Sequence, residues 1–209
     1  LERSGYDLLT KRASAAQVII PAEAAGFDIM PSNGDLTAAE VELMNEIGRE
    51  HRLRLAINGV RDNYDYILID CPPSLSLLTV NALSAADSVL IPMQCEYYAL
   101  EGLAALMNTV EQIKETVNPN LEIEGILRTM YDPRNSLTLD VSGQLNEYFG
   151  DKVYRAVIPR NVRLAEAPSY GMPALKYDKA SKGAIAYLAL AGEMVRRHGA
   201  KKTSPQVAV

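Results

Sequence analysis

The stretch Tyr66-Ile67-Leu68-Ile69-Asp70-Cys71-Pro72-Pro73 constrains this chain more than any other. A tight apolar run ends on an acid and is cut off by two prolines. Short apolar runs bounded by turn formers predict strands buried in a parallel sheet. In open α/β sheets the chemistry gathers just beyond the carboxyl ends of the strands, and Asp70 stands at that point. A carboxylate there can hold a nucleotide-bound magnesium, usually through water, because Mg²⁺ dehydrates reluctantly. It can equally cap the helix that follows, and the local pattern leaves both readings open. Pro72 and Pro73 fix the chain after the acid, since each locks φ and lacks an N–H donor.

Other segments repeat the alternation of short strand and helix. Leu1 to Leu9 reads as the end of a helix or a helix–loop segment, residues 22–26 as a turn and Phe27 to Pro31 as a short strand. Thr37-x-x-Glu40 fits a capping box opening a helix to Ile57, with Val41, Met44, Ile47 and Leu55 at helical spacing. A helix over Leu75–Ala85 with Leu77, Leu78 and Leu83 inward leads to a strand at Ser88–Pro92. A helix from Ala99 to Val117 stops at Asn118-Pro119. Strands follow at Ile123–Met130 and Val153–Ile158, separated by a helix over Leu139–Phe149 that Gly150 closes. A long loop, Pro159 to Pro173, precedes a last helix over Lys182–Arg197. This alternation predicts an α/β fold: a doubly wound, mostly parallel sheet with helices on both faces. The length of 209 residues suits one domain, residues 1–198, with residues 199–209 as a disordered tail.

Charge is divided along the chain. Residues 1–127 carry a net −11 and residues 128–209 a net +6, giving −5 overall. A basic C-terminal third in an acidic protein points to a face that binds polyanions, or to a solvated surface without a partner. Cys71 and Cys95 make no disulfide framework. No apolar run approaches the length of a membrane span. His51 and His198 lie in polar helical surroundings and read as surface residues.

Three motifs occur in order: Asp70-Cys71-Pro72-Pro73-Ser74, then Ile91-Pro92-Met93-Gln94-Cys95-Glu96-Tyr97-Tyr98-Ala99-Leu100-Glu101-Gly102, then Ile158-Pro159-Arg160-Asn161-Val162-Arg163-Leu164-Ala165-Glu166-Ala167-Pro168-Ser169. Together they closely resemble the ParA/Soj chromosome-partitioning ATPases of the deviant-Walker P-loop class, over about Leu1 to Arg197. The resemblance implies a P-loop NTPase-like fold and an ATP- and Mg²⁺-dependent homodimer in the bacterial cytoplasm, on the nucleoid. It also implies non-specific DNA binding and stimulation by a ParB-type centromere-binding partner, with no membrane role. One departure stands out. No G-x-x-x-x-G-K-[ST] occurs in these residues, so the chain resembles a family member lacking its N-terminal P-loop portion, P-loop strand included, and is expected to be inactive alone.

Carried over residue by residue, the resemblance makes Asp70 the switch acid that senses γ-phosphate and magnesium. It places Pro159 and Asn161 at the adenine base, where plain loop architecture is the competing reading. Gln94 and Glu96 follow a strand end facing the same crevice, so nucleotide or dimer contact stands beside a structural role. Arg134 and Arg163 match arginines that bind DNA without regard to sequence, and Arg160, Lys176, Lys179 and Lys182 extend that patch. Phosphate contact needs exposed cationic donors and no base-reading geometry. Three alternatives stand: a catalytically dead fragment, a MinD-type cell-division ATPase, and an iron–sulfur reductase branch. The segment Lys201-Lys202-Thr203-Ser204-Pro205 shows no apolar face for membrane binding, and Cys71-Pro72-Pro73 departs from the cluster-cysteine pattern.

Overall fold

The computed structural model describes residues 2–203 apart from Ala24 and Pro73, and its contacts group the chain into two compact units. The first comprises residues 1–89 and 107–122, the second residues 90–106 and 123–209. The part of the expected tail at 204–209, and the Pro73 half of the expected double-proline clamp, lie outside the described residues.

In the first unit, Ser4 caps helix α1 (Gly5–Leu9) through a reciprocal box with Asp7. Helix α2 (Ala15–Val18) follows, a turn that the sequence pattern did not announce. Strands β1 (Ile20–Ala22) and β2 (Phe27–Ile29) then form an antiparallel hairpin with Ile20 opposite Ile29. Leu8, Ala13, Ala15 and Val18 pack with Leu53 and Ala56 into one apolar cluster. Leu9, Ala39 and Leu43 pack with Leu36, Leu77 and Leu78 into a second.

The helix expected from Thr37 to Ile57 is broken. Helix α3 (Leu36–Leu43) ends early, and α4 (Arg52–Ile57) restarts after a 3₁₀ turn over Arg49–His51. Gly48 between them sits at φ 68°, ψ 26°, the left-handed region that glycine adopts without a Cβ clash. The break turns the expected apolar stripe outward: Val41, Met44 and Leu55 are exposed and Ile47 is 100% exposed, while Ala39, Leu43 and Ile57 are buried. Asp35 precedes α3 without a side-chain cap, and Glu40 accepts instead from the Leu78 N–H at 3.3 Å.

The run ending at Asp70 is not a strand. Residues 64–70 belong to no ladder, and Tyr66, Ile67 and Leu68 are exposed, Leu68 to 83%. A ladder needs a neighbour, and β1 and β2, the strands of this unit's sheet, pair with each other. Asp70 is exposed and caps nothing, since Ser76 supplies the cap of α5 (Leu77–Ala85) by accepting from the Leu78 N–H. Behind α5, the fully buried Asn81 accepts from the Leu53 N–H at 3.0 Å and donates to the Arg49 and Leu77 carbonyls at 2.8 and 3.0 Å. His51 corrects its surface reading: it is half-buried, its Nδ1 2.7 Å from the Ser84 hydroxyl.

The second unit carries the sheet. Its order is β3 (Ser88–Gln94), β4 (Glu122–Tyr131), β5 (Val153–Pro159), and β4 and β5 run parallel, Ile126 opposite Val153. Helix α6 (Ala99–Thr116), whose residues 107–116 belong to the first unit, and α7 (Ser136–Phe149) make the connections. This is the parallel α/β architecture that the sequence predicts. Gly125 permits the close approach of β4 to β5: a Cβ there would stand 2.6 Å from the Lys152 carbonyl and 2.7 Å from the Tyr154 ring.

The stretch read as a loop over 159–173 instead folds into α8 (Val162–Glu166) and a 3₁₀ turn over Ala167–Tyr170, with α9 (Ala174–Tyr177) following. Helix α10 (Lys182–Thr203) runs past the expected Arg197 end, so residues 199–203 continue the helix rather than begin a tail. Leu127, Tyr154, Ile158 and Leu190 form the core between sheet and α10. A charged network lines it. Arg197 lies over the Tyr154 ring at 3.9 Å and pairs with Glu193 at 2.7 Å, while Glu193 accepts the Arg155 and Ala156 N–H groups. His198 is half-buried, 3.2 Å from the buried Glu124 carboxylate, which also accepts from the Tyr154 hydroxyl at 3.0 Å. It is no surface residue.

Candidate functional site

Parallel strands deliver their carboxyl ends to one side, and there the second unit opens a cleft of about 140 Å³. Gln94, Cys95 and Glu96 reach it from the end of β3, and Met130 and Asp132 from the end of β4. Asn135 and Thr138 reach it from the start of α7, and Arg160 from the residue after β5. The lining is mostly polar, with two carboxylates and one guanidinium. Its volume is below the ~300 Å³ of typical ligand pockets, leaving room for a small polar group.

Gln94 and Glu96, singled out from sequence, therefore meet in this cleft. Pro159 ends β5 beside it. Asn161 is committed locally, since its Oδ1 caps α8 by accepting from the Arg163 and Leu164 N–H groups at 3.0 and 3.3 Å. Asp70 lies in the other unit, on the exposed stretch before α5. Among the described residues no three His, Cys, Asp or Glu side chains converge as a metal site.

Arg134 and Arg163 follow the ends of the adjacent parallel strands β4 and β5, and neither guanidinium stands alone. Arg134 is 88% exposed and clasps Asp132 with its fork, Nε to Oδ1 at 2.9 Å and Nη2 to Oδ2 at 2.7 Å. The Arg134 side chain and then its backbone N–H hold the Asp132 carboxyl down to about 2, and the Arg160 charge adds to them. Arg163 donates to Glu166 at 2.8 Å and lies 3.5 Å from Asp178. Glu166 is held below the usual carboxylate range by Arg163 foremost and by the Tyr177 hydroxyl. Tyr177 stacks on Tyr170 with centroids 5.0 Å apart, which stiffens this corner.

Asp132 and Thr138 escaped the sequence reading. Asp132 sits in Tyr131-Asp132-Pro133-Arg134, a pattern legible only as turn chemistry, although an acid directly after a strand end was the signal that singled out Asp70. Cys95 is buried against the cleft as a free thiol, its titration pushed up by burial and partly offset by the Arg128 charge. Arg128 is itself buried, donating to the Ser142 hydroxyl at 2.7 Å and the Tyr154 carbonyl at 2.8 Å.

Residues 1–123 match the family model of an AAA domain. The chromosome partitioning protein ParA of Caulobacter vibrioides is 50% identical over 194 residues, covering 92% of this chain and 73% of that protein. The sporulation initiation inhibitor protein Soj of Bacillus subtilis is 52% identical over 194 residues, covering 93% and 77%. The crystal structure of cobyrinic acid a,c-diamide synthase from Mycobacterium smegmatis, with bound ATP analogue and magnesium, matches at 30% identity with a TM-score of 0.81, covering 100% of this chain and 78% of that one. No helix among the described residues is long and apolar enough to cross a membrane.

Proposed function

The chain belongs to the ParA/Soj family of chromosome-partitioning ATPases, and on that premise we propose that it supplies the DNA-holding part of an ATP-governed partition switch. Its basic C-terminal third meets duplex DNA without reading sequence. In this reading it works as a nucleotide-dependent homodimer in the bacterial cytoplasm, on the nucleoid, and is stimulated by a ParB-type partner. One observation carries the reading. Arg134 and Arg163 each follow the carboxyl end of one of two neighbouring parallel strands, at the strand ends that also open the polar cleft. Exposed arginines so placed suit phosphates, which position a protein on DNA without specifying sequence.

The cleft would take the base or ribose end of ATP, with Gln94, Glu96 and Arg160 lining it and Pro159 and Asn161 alongside; Asp70, in the other unit, keeps its reading as a switch acid from the family resemblance alone. The Gly-rich cradle for the β- and γ-phosphates is absent from these 209 residues. The chain by itself is therefore expected to hold ATP more weakly than micromolar in titration calorimetry. The functional test uses two duplexes of unrelated sequence. Wild type binds both with equal affinity, and the Arg134→Glu, Arg163→Glu double variant binds neither. A strong preference for one sequence, or wild-type affinity in the double variant, contradicts the reading.

A further inference from the structure

The clasp between Asp132 and Arg134 has the geometry of a phosphate contact already made. Both carboxylate oxygens take the Nε/Nη2 edge of the guanidinium, the same two-pronged arrangement by which arginine holds phosphate. The turn enforces it. Asp132 Oδ1 also accepts the Arg134 backbone N–H at 3.1 Å, and Pro133 between them fixes φ. With its carboxyl held near 2, Asp132 is ionised at every working pH, and the pair presents no net charge.

We infer that Asp132 is an intramolecular stand-in for phosphate at Arg134, so that polyanion binding there exchanges a carboxylate for a phosphate. The inference rests on the reading that Arg134 meets DNA. An incoming phosphate can approach the guanidinium on either of two edges. On the Nε/Nη2 edge it must displace Asp132; on the Nη1/Nη2 edge it shares one flat cation with a second anion. Either way Asp132 opposes binding. It thereby sets affinity through Arg134 without touching DNA, and lowers the grip of a face whose charge would otherwise hold any polyanion. Arg163, with Glu166 at 2.8 Å, is restrained in the same manner, though there the acid comes from the next helical turn and grips a single nitrogen.

The test is a double-mutant cycle on binding of a labelled duplex at several salt concentrations. Asp132→Asn retains an oxygen for the Arg134 N–H and so keeps the turn, but removes the charge. It should tighten duplex binding several-fold while leaving the fall of log K with log salt close to that of wild type, because the Arg134 contact is made in both and only its competitor is removed. In an Arg134→Ala background the same change should leave the slope unaltered and the affinity nearly so. Asp132→Ser, with a melt like wild type, should repeat the result. Equal tightening in both backgrounds would mean loss of an acid and nothing more, and weakened binding would mean that Asp132 positions Arg134 for DNA; each overturns the inference alone. Duplex binding by no variant at low salt overturns the functional reading as well.

Discussion

Asp132 and Asn81 show how much a single side chain settles here. The Asp132 carboxyl lies well below the ~3.9 of an unfolded aspartate, so its contribution to the fold is complete above about pH 4 and is lost as pH falls through about 2. Carbon-detected NMR titration should find its midpoint near 2, and Arg134→Ala should raise it toward the ordinary range. An unmoved midpoint would remove Arg134 as the cause. Asn81 joins α4, α5 and the turn over Arg49–His51 through three hydrogen bonds. Asn81→Ala deprives the half-buried Leu53 N–H and the Arg49 and Leu77 carbonyls of their side-chain partner and should cost about 2–4 kcal/mol in urea denaturation; a loss below about 1 kcal/mol would show that water or repacking replaces it. Gln94 and Glu96 were legible in sequence because a strand end fixes where the next residues point. Asn161 was legible only as a position, since its cap on α8 depends on where that helix starts.

At the scale of elements, legibility followed the number of neighbours each element needs. Strands β3 to β5 and helices α6 and α7 appear near their predicted bounds because apolar runs and turn residues agree with their packing. Helix α8 was missed because its first turn rests on one Asn161 cap and lies between prolines. The helix expected through Ile57 stops at Leu43, and the chain then turns at Gly48, a residue that a helix interior tolerates at a cost but that a left-handed turn prefers. Gly48→Ala should therefore cost about 1 kcal/mol of stability, whereas a residue inside a continuous helix would gain from the same change. Thermal melts followed by circular dichroism separate the two.

On the scale of the whole molecule, the largest gap between sequence and structure is the run before Asp70. Its composition is that of a buried strand, but burial comes from ladder partners and not from the run itself. Exposed apolar residues on an unladdered segment are a template for association. Sedimentation velocity should show concentration-dependent self-association that Leu68→Lys reduces; a wild-type monomer at all concentrations would contradict this. The charge division of the chain, −11 before residue 128 and +6 after it, was read from sequence. Its arrangement was not, because carboxylates close to Arg134 and Arg163 in space are unremarkable in the linear chain. The measurement that tests the central claim most directly is the salt dependence of duplex binding, wild type against Arg134→Glu, Arg163→Glu. If these two arginines are the DNA contacts, the slope of log K against log salt falls by about two in the double variant. If the slope and the affinity are those of the wild type, the strand ends of β4 and β5 are not where this protein meets DNA.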